Sequence, residues 1–323
     1  MHALVSGGAG FIGSHLVREL RRRGHEVTVV DNLSTGSVRN IEALLDDDAF
    51  TFVEGDVCNA EMLRPLMAKA DYCFHLAAAV GVKRIIDHPL ASLEGLVHAT
   101  SAVLDLANEH KVPVFFASTS EVYGKHEPCE LHEDMPSIIG PVKHWRWLYA
   151  CAKLLDEFWA LAHHKQSGLP VIVARFFNVS GPRQTGQWGM VVPTFVQQAM
   201  KNQELTVYGD GCQKRCFMHV DDCIEAIMRL TENEDAVGLS VNIGNSHELS
   251  ITELAERVIE LVPGSTSSVK YVTYHEAYGD GFEDMAQRKP DTSLLAQLTG
   301  FRPQRPLDDI ITDIYEYIKA GQS

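Results

Sequence analysis

Short apolar runs alternate with longer amphipathic stretches through the first half of this chain. The runs at 3–6, 26–30, 51–54, 72–76, 114–118 and 171–176 predict strands. Helical periodicity follows five of them, at 12–23, 60–69, 89–110, 147–165 and 193–202, and the run at 72–76 reaches its helix through a loop. Apolar strands buried on both faces and alternating with helices predict an α/β fold, a Rossmann-type doubly wound parallel sheet. The second half is less regular. Strands at 205–208, 240–243 and 269–271, with helices at 221–230, 251–262 and 307–320, predict a smaller mixed α/β lobe. The chain is therefore expected to divide into residues 1–177 and 178–323, with segments free to interleave. No internal repeat, low-complexity stretch or linker stands out.

The first predicted strand runs into Gly7-Gly8-Ala9-Gly10-Phe11-Ile12-Gly13, which opens the first predicted helix. Gly7, Gly10 and Gly13 have the spacing GxxGxxG. Glycine there permits a tight turn, close approach of the backbone to a pyrophosphate, and close packing of helix on strand. The helix N-terminus, at Phe11 and Ile12, then offers free N–H groups and the positive end of its dipole. The second strand ends at Asp31-Asn32. A carboxylate at that point accepts hydrogen bonds from both ribose hydroxyls and repels a 2′-phosphate, so NAD is expected rather than NADP. Asp56-Val57, after the third strand, is placed to meet the adenine. Leu76-Ala77-Ala78, after the fourth, lets the backbone lie against the cofactor.

Tyr149 and Lys153 stand at i and i+4 in a predicted helix, on one face. A free tyrosine, with a pKa near ~10, is a poor base at neutral pH. A close ammonium and the positive nicotinamide of an oxidised cofactor both favour the phenolate. The tyrosine can then take a hydroxyl proton while hydride leaves to NAD. A hydroxyl cluster, Ser118-Thr119-Ser120, ends the strand before this helix. It lies at the carboxyl end of a strand, where open α/β sheets place their sites.

Composition narrows the partners. The 323 residues carry a formal net charge of −15, which argues against general nucleic-acid binding and a basic membrane-surface role. An anionic small ligand needs only local cations. Arg175, Arg183, Lys214, Arg215, Arg288 and Lys289 all fall in or near second-half motifs. No apolar run approaches a membrane span, and Met1 leads straight into the first predicted strand without a charged leader. Seven scattered cysteines suit a reducing cytoplasm. Cys212, Cys216 and His219 match no common zinc spacing, so no metal is expected.

Taken together, GGAGFIGSH, Asp31, GDV at 55–57, HLAA, STSEVYG at 118–124, YACAK, RFFNVSGPR at 175–183 and NIGN at 242–245 resemble the extended short-chain dehydrogenase/reductases. These include nucleotide-sugar epimerases, 4,6-dehydratases and decarboxylases. The resemblance runs through essentially the whole chain. It implies an enzyme with Thr119, Tyr149 and Lys153 as catalytic residues, holding NAD tightly and acting on a UDP-linked nucleotide sugar. It also implies a nucleotide-sugar role for the second lobe, with Ser120, Asn178, Arg183, Arg215, Asp284 and Arg288 as candidate substrate contacts.

Family members share a first oxidation at sugar C4 and differ afterwards. The 4,6-dehydratases carry Asp-Glu after the catalytic threonine, whereas this chain has Ser120-Glu121. Thr-Ser-Glu is similar to UDP-glucuronic acid decarboxylases, as are Gln213-Lys214-Arg215-Cys216-Phe217, the segment from Tyr278 to Asp284, and Arg288-Lys289-Pro290. Oxidising C4 of a glucuronate creates a β-keto acid, which loses CO₂ readily. Glu121 would orient the sugar or handle protons. The chain departs from many UDP-xylose synthases at Gly189-Met190-Val191-Val192, where they carry an arginine in a GRVV segment. A UDP-sugar 4-epimerase is the alternative, and a non-catalytic NAD-binding regulator a third. A homodimer is also expected. Trp147, Leu154, Leu155, Phe158, Trp159 and Leu161, with Trp145 before them, are more large apolar surface than one stripe against a sheet requires.

Overall fold

The computed structural model describes residues 1–78, 88–186, 189–278 and 284–321. Seven strands form one parallel sheet: β1 (His2–Ser6), β2 (Glu26–Asp31), β3 (Phe50–Glu54), β4 (Tyr72–His75), β5 (Val114–Thr119), β7 (Val171–Phe176) and β12 (Ser240–Ile243). Their order is β12-β7-β5-β4-β1-β2-β3. The direction of progression reverses between β1 and β4, the switch point at which doubly wound sheets open a ligand crevice. The expected Rossmann-type fold is thus present.

Apolar side chains pack on both faces of the sheet. Val5, Val29 and Phe74 lie in a cluster with Leu16, Val17 and Leu20 of the helix Phe11–Arg22. Leu4, Cys73 and Phe116 lie in another, with Val103, Leu104 and Ala107 of the helix Pro89–His110. Pro89–His110 is long and apolar enough to cross a membrane by length and composition. That departs from the expectation that no stretch approaches one. Leu96, Ala99, Val103, Leu104, Leu106 and Ala107 of this helix are buried inside the protein.

The second lobe holds a four-stranded sheet in the order β13-β10-β15-β6, from Glu248–Ser250, Lys214–Cys216, Gln287–Pro290 and Glu130–Leu131. Two small parallel pairs join β8 (Val179–Ser180) to β11 (Met218–His219), and β9 (Leu205–Tyr208) to β14 (Val269–Val272). The lobes exchange segments. β12, late in the chain, completes the first sheet beside β7, and β6, early in the chain, joins the second beside β15. A boundary at 178 therefore does not separate the two sheets. The helix Ile251–Leu261 begins in a capping box formed by Ser250 and Glu253.

Candidate active site

Two cavities open near the carboxyl end of β5: Thr119 lines one, and Glu121, two residues on, lines the other. The first has a volume of about 420 Å³. Gly7, Gly10, Phe11, Ile12 and Gly13 form one wall, Asp31, Asn32, Asp56 and Val57 another, and Leu76, Ala77 and Ala78 the floor toward Thr119 and Tyr149.

The turn at Gly7 depends on glycine. Its φ is +74°, and a Cβ there would stand 2.7 Å from the Ala77 amide nitrogen. A Cβ on Gly13 would strike the Gly7 carbonyl oxygen. The helix Phe11–Arg22 has Gly10 as its N-cap, without a side-chain cap and without an acid in its first turn. Its first N–H groups are left for an anion. Asp31 accepts from the amides of Ala9 at 3.0 Å and Leu33 at 2.8 Å, which tie its carboxylate to the turn. Burial raises its pKa, against those amides. Asn32 donates to Asp56 at 3.1 Å, joining the ends of β2 and β3 across the crevice. This close-fitting glycine turn, open helix end and acid at the β2 terminus suit a dinucleotide.

Tyr149 and Lys153 both lie on the helix Trp147–Ser167. Tyr149 faces the first cavity, where burial first, then the charges of Glu121 and Asp156, push its pKa up. Lys153 is not on the cavity wall. It is 2% exposed, with its ammonium 4.0 Å from the Phe116 ring centre and 3.4 Å from Asp156. Burial lowers its pKa, and Asp156 and Glu157 oppose the shift. Thr119 accepts from the Glu121 amide at 3.2 Å.

The second cavity, of about 340 Å³, holds a charge cluster. Glu121 meets Arg146 at 3.0 Å and Arg288 at 2.6 Å. Asp284 meets Arg146 at 3.2 Å and Arg215 at 2.9 Å, and accepts from the Tyr274 hydroxyl at 3.1 Å. Burial works against ionising Glu121, yet Arg288 and Arg146 hold it below the ordinary glutamate value. Asp284 is likewise held low against burial, by Arg215, Arg146 and Arg288. Burial, followed by Arg288, lowers Arg215 to about 10. Among the described residues, three guanidiniums against two carboxylates leave one positive charge in excess.

The structure brings Glu121, Asn178, Arg215, Asp284 and Arg288 to this cavity. Two expected substrate contacts lie elsewhere. Ser120 is 1% exposed at the start of a short 3-10 turn and lines neither cavity. Arg183 is turned onto the first helix, donating to Ser14 at 3.0 Å and lying 3.3 Å from His15 Nδ1. Arg175, another candidate cation, pairs with buried Glu157 at 2.7 Å and stacks over Tyr123. Lys214 and Lys289 pair with Glu248 and Glu130. Residues 279–283 of the motif from Tyr278 to Asp284 fall outside the described residues.

Arg146 and Asp156 escaped the sequence reading. Arg146 precedes Tyr149 by three residues, close to one helical turn, a spacing that signals a shared face. The tryptophans on either side hid it. Met190, where an arginine was expected from many UDP-xylose synthases, lines the cavity that Arg146 occupies.

Comparison with known proteins agrees with this geometry. Residues 3–244 match the NAD dependent epimerase/dehydratase family. The chain is 39% identical over 301 residues to a UDP-N-acetyl-alpha-D-glucosaminuronate decarboxylase of Bacillus cytotoxicus, covering 93% of this chain and 92% of that protein. It is 35% identical to UDP-glucuronic acid decarboxylase 1 of Xenopus tropicalis, over 98% of this chain and 72% of that one. The UDP-glucuronic acid 4-epimerase of Bacillus cereus, solved with UDP-glucuronic acid and NAD, superposes with a TM-score of 0.88 at 28% identity, covering 99% of both chains. A dinucleotide crevice at the sheet's switch point, a Tyr149–Lys153 helix beside it and a family match over three quarters of its length place this chain in the NAD-dependent epimerase/dehydratase family.

Proposed function

We propose that this protein decarboxylates a UDP-linked hexuronic acid, UDP-glucuronic acid or its 2-acetamido relative, through a 4-keto sugar. The observation that carries the reading is the cluster of Arg146, Arg215 and Arg288 around Glu121 and Asp284, with one positive charge in excess among the described residues, next to Thr119 and Tyr149. The decarboxylases among its relatives support it.

The Gly7–Gly13 turn and Asp31 would hold NAD, which would supply a reversible hydride acceptor beside Tyr149. Tyr149 takes the proton from the C4 hydroxyl, and the Lys153 ammonium favours the resulting phenolate. Thr119 donates a hydrogen bond to the oxygen at C4. Oxidation there makes the sugar carboxylate β to a ketone, so the bond from C5 to the carboxylate breaks, CO₂ leaves, and the bonding pair stays on the sugar as an enolate, delocalised onto the C4 oxygen. Thr119 and Tyr149 steady that enolate, and a proton then returns to C5. Glu121 is ionised, so it orients the sugar as an acceptor. Arg146 and Arg215 already serve Glu121 and Asp284, so they hold the sugar carboxylate without binding it too tightly to leave. Excessive ground-state binding would slow the step.

A 4-epimerase of a UDP-uronic acid is the second reading, favoured by Met190 in the cavity and by the Bacillus cereus structure. Incubating the protein with each UDP-uronic acid and analysing gas and nucleotide sugar separates the two. Release of CO₂ with a pentose product supports decarboxylation. A C4-inverted uronic acid without CO₂ overturns it. A homodimer in a reducing cytoplasm completes the proposal. Leu155 and Phe158 are 49% and 67% exposed on one helix, and Leu90 and Leu93 are exposed on the helix packed beside it.

A further inference from the structure

Asp156 follows Lys153 by three residues and has no exposed surface. Its Oδ2 lies 3.4 Å from Lys153 Nζ. Neither of its oxygens makes a hydrogen bond of ordinary geometry to a described residue, and the Thr100 hydroxyl of the neighbouring helix stands beside them. A carboxylate so placed is costly unless an opposite charge meets it. The same holds for the Lys153 ammonium, which is covered by the Phe116 ring.

The surroundings leave these two groups to each other. Glu157, on the same helix, is committed to Arg175 and Ser118. His75, at the end of β4, bonds Ser6 at 2.7 Å and stays neutral, since burial and then Lys153 lower its pKa to about 3. Among the described residues, Tyr149 on the same helix feels the charges of Asp156 and of Glu121. Among the described residues, Asp156 is the one carboxylate within ion-pair distance of Lys153.

We propose that Asp156 is a positioning residue for the reaction, the counter-ion that keeps the Lys153 ammonium charged and seated beside Tyr149. The inference rests on the roles given above to Tyr149 and Lys153, and not on which sugar is turned over. Removing the carboxylate leaves a buried ammonium without its partner, so Lys153 loses its proton more easily. The phenolate then lacks its cation at pH values where the wild-type protein keeps it.

The test is single-turnover reduction of bound NAD by the sugar across pH, in wild type and Asp156→Asn. The falling, alkaline limb of the variant moves down by about one pH unit or more, so the rate is lost about tenfold where wild type still holds its plateau. A variant profile that drops in height without moving overturns the proposal, as does one displaced only on its acid limb. Should Asp156→Asn fail to fold, the double variant with Lys153→Met regains folding, because both buried charges are gone. A double variant as unstable as the single overturns the pairing. If Tyr149→Phe reduces NAD at the wild-type rate, the functional reading fails, and thermal unfolding of the two single variants and the double still judges the ion pair.

Discussion

Arg146 Nη2 lies 3.0 Å from Glu121 Oε2, and the arginine side chain is 3% exposed. The contact joins the residue that opens the tyrosine–lysine helix to the acid that follows Thr119. Glu121 also bonds Arg288, and Asp284 also bonds Arg215. Each carboxylate thus keeps one guanidinium if Arg146 is removed. The excess positive charge disappears with it.

Arg146→Met should therefore fold and lose recognition of an acidic sugar. Turnover of the UDP-uronic acid should fall about 10²–10³-fold, the size expected for one charged contact to the reacting group. Binding of UDP-glucose, which lacks the carboxylate, should change little by calorimetry. Equal losses for both ligands would remove Arg146 from substrate recognition.

Asp31 should make the protein favour NAD over NADP. Its carboxylate is fixed by the Ala9 and Leu33 amides, so it cannot swing away from a 2′-phosphate. NADP should bind at least about 100-fold more weakly to protein stripped of cofactor, as several kcal/mol of repulsion implies in a low-dielectric crevice. Fluorescence titration with both dinucleotides checks this, and equal affinities would refute it.

What could be read from the sequence was what is contiguous in it. The Gly7–Gly13 turn and Asp31 at the end of β2 are local signals, and the helix following β1 needs no distant partner to be recognised. The charge cluster is not local. The motifs point to Glu121, Arg215, Asp284 and Arg288 one by one but not to Arg146 or to their pairing, because they are brought together from segments far apart in sequence, and strands such as Lys214–Cys216 and Gln287–Pro290 are too short and polar to show a period. Arg175 looked available for an anion because its partner Glu157 is on another element, 18 residues earlier. Ser120 looked like a contact by its place after Thr119, but the 3-10 turn directs it inward. No motif in the sequence marks Asp156, and only its burial singles it out.

Stability should fall below neutral pH through two histidines. Burial, then Lys153, lowers His75 to about 3, and burial, then Arg183, lowers His15 to about 4. A histidine whose folded pKa lies below its unfolded value of about 6.5 takes up its proton on unfolding. Its contribution is fully present above the unfolded value and is lost as pH falls toward the folded one. At pH near 5 the loss is about 2 kcal/mol for each group. His75→Asn, which retains a partner for Ser6, should narrow its gap in unfolding temperature from wild type between pH 7 and pH 5. A gap independent of pH would show that His75 does not titrate on unfolding.

Phe158 should hold two subunits together. At 67% exposed it is too large an apolar surface for an isolated helix face, and exposed Leu155 lies one turn before it. Phe158→Glu should convert a dimer to a monomer by light scattering at micromolar concentration while leaving NAD bound. A wild-type protein that is already monomeric would defeat the expectation.

Tyr149→Phe should abolish reduction of bound NAD and leave NAD affinity intact. The phosphate-binding turn is on another element and owes nothing to the phenol. Thr119→Ala should be milder, about 10²–10³-fold, because it removes one hydrogen bond to the C4 oxygen and not the proton acceptor. Glu121→Gln separates the later steps. It keeps the shape of the side chain but removes the charge that Arg146 and Arg288 share, so Arg288 loses its carboxylate and Arg146 keeps only Asp284, and both attract the sugar carboxylate more strongly. In a decarboxylase, C4 oxidation should survive and CO₂ release should slow, so NADH accumulates. In a simple epimerase both steps should change little. Stopped-flow absorbance at the NADH band, with product analysis on the same samples, reads the two steps apart. Full turnover by Tyr149→Phe would remove the tyrosine as the base, whichever sugar is supplied.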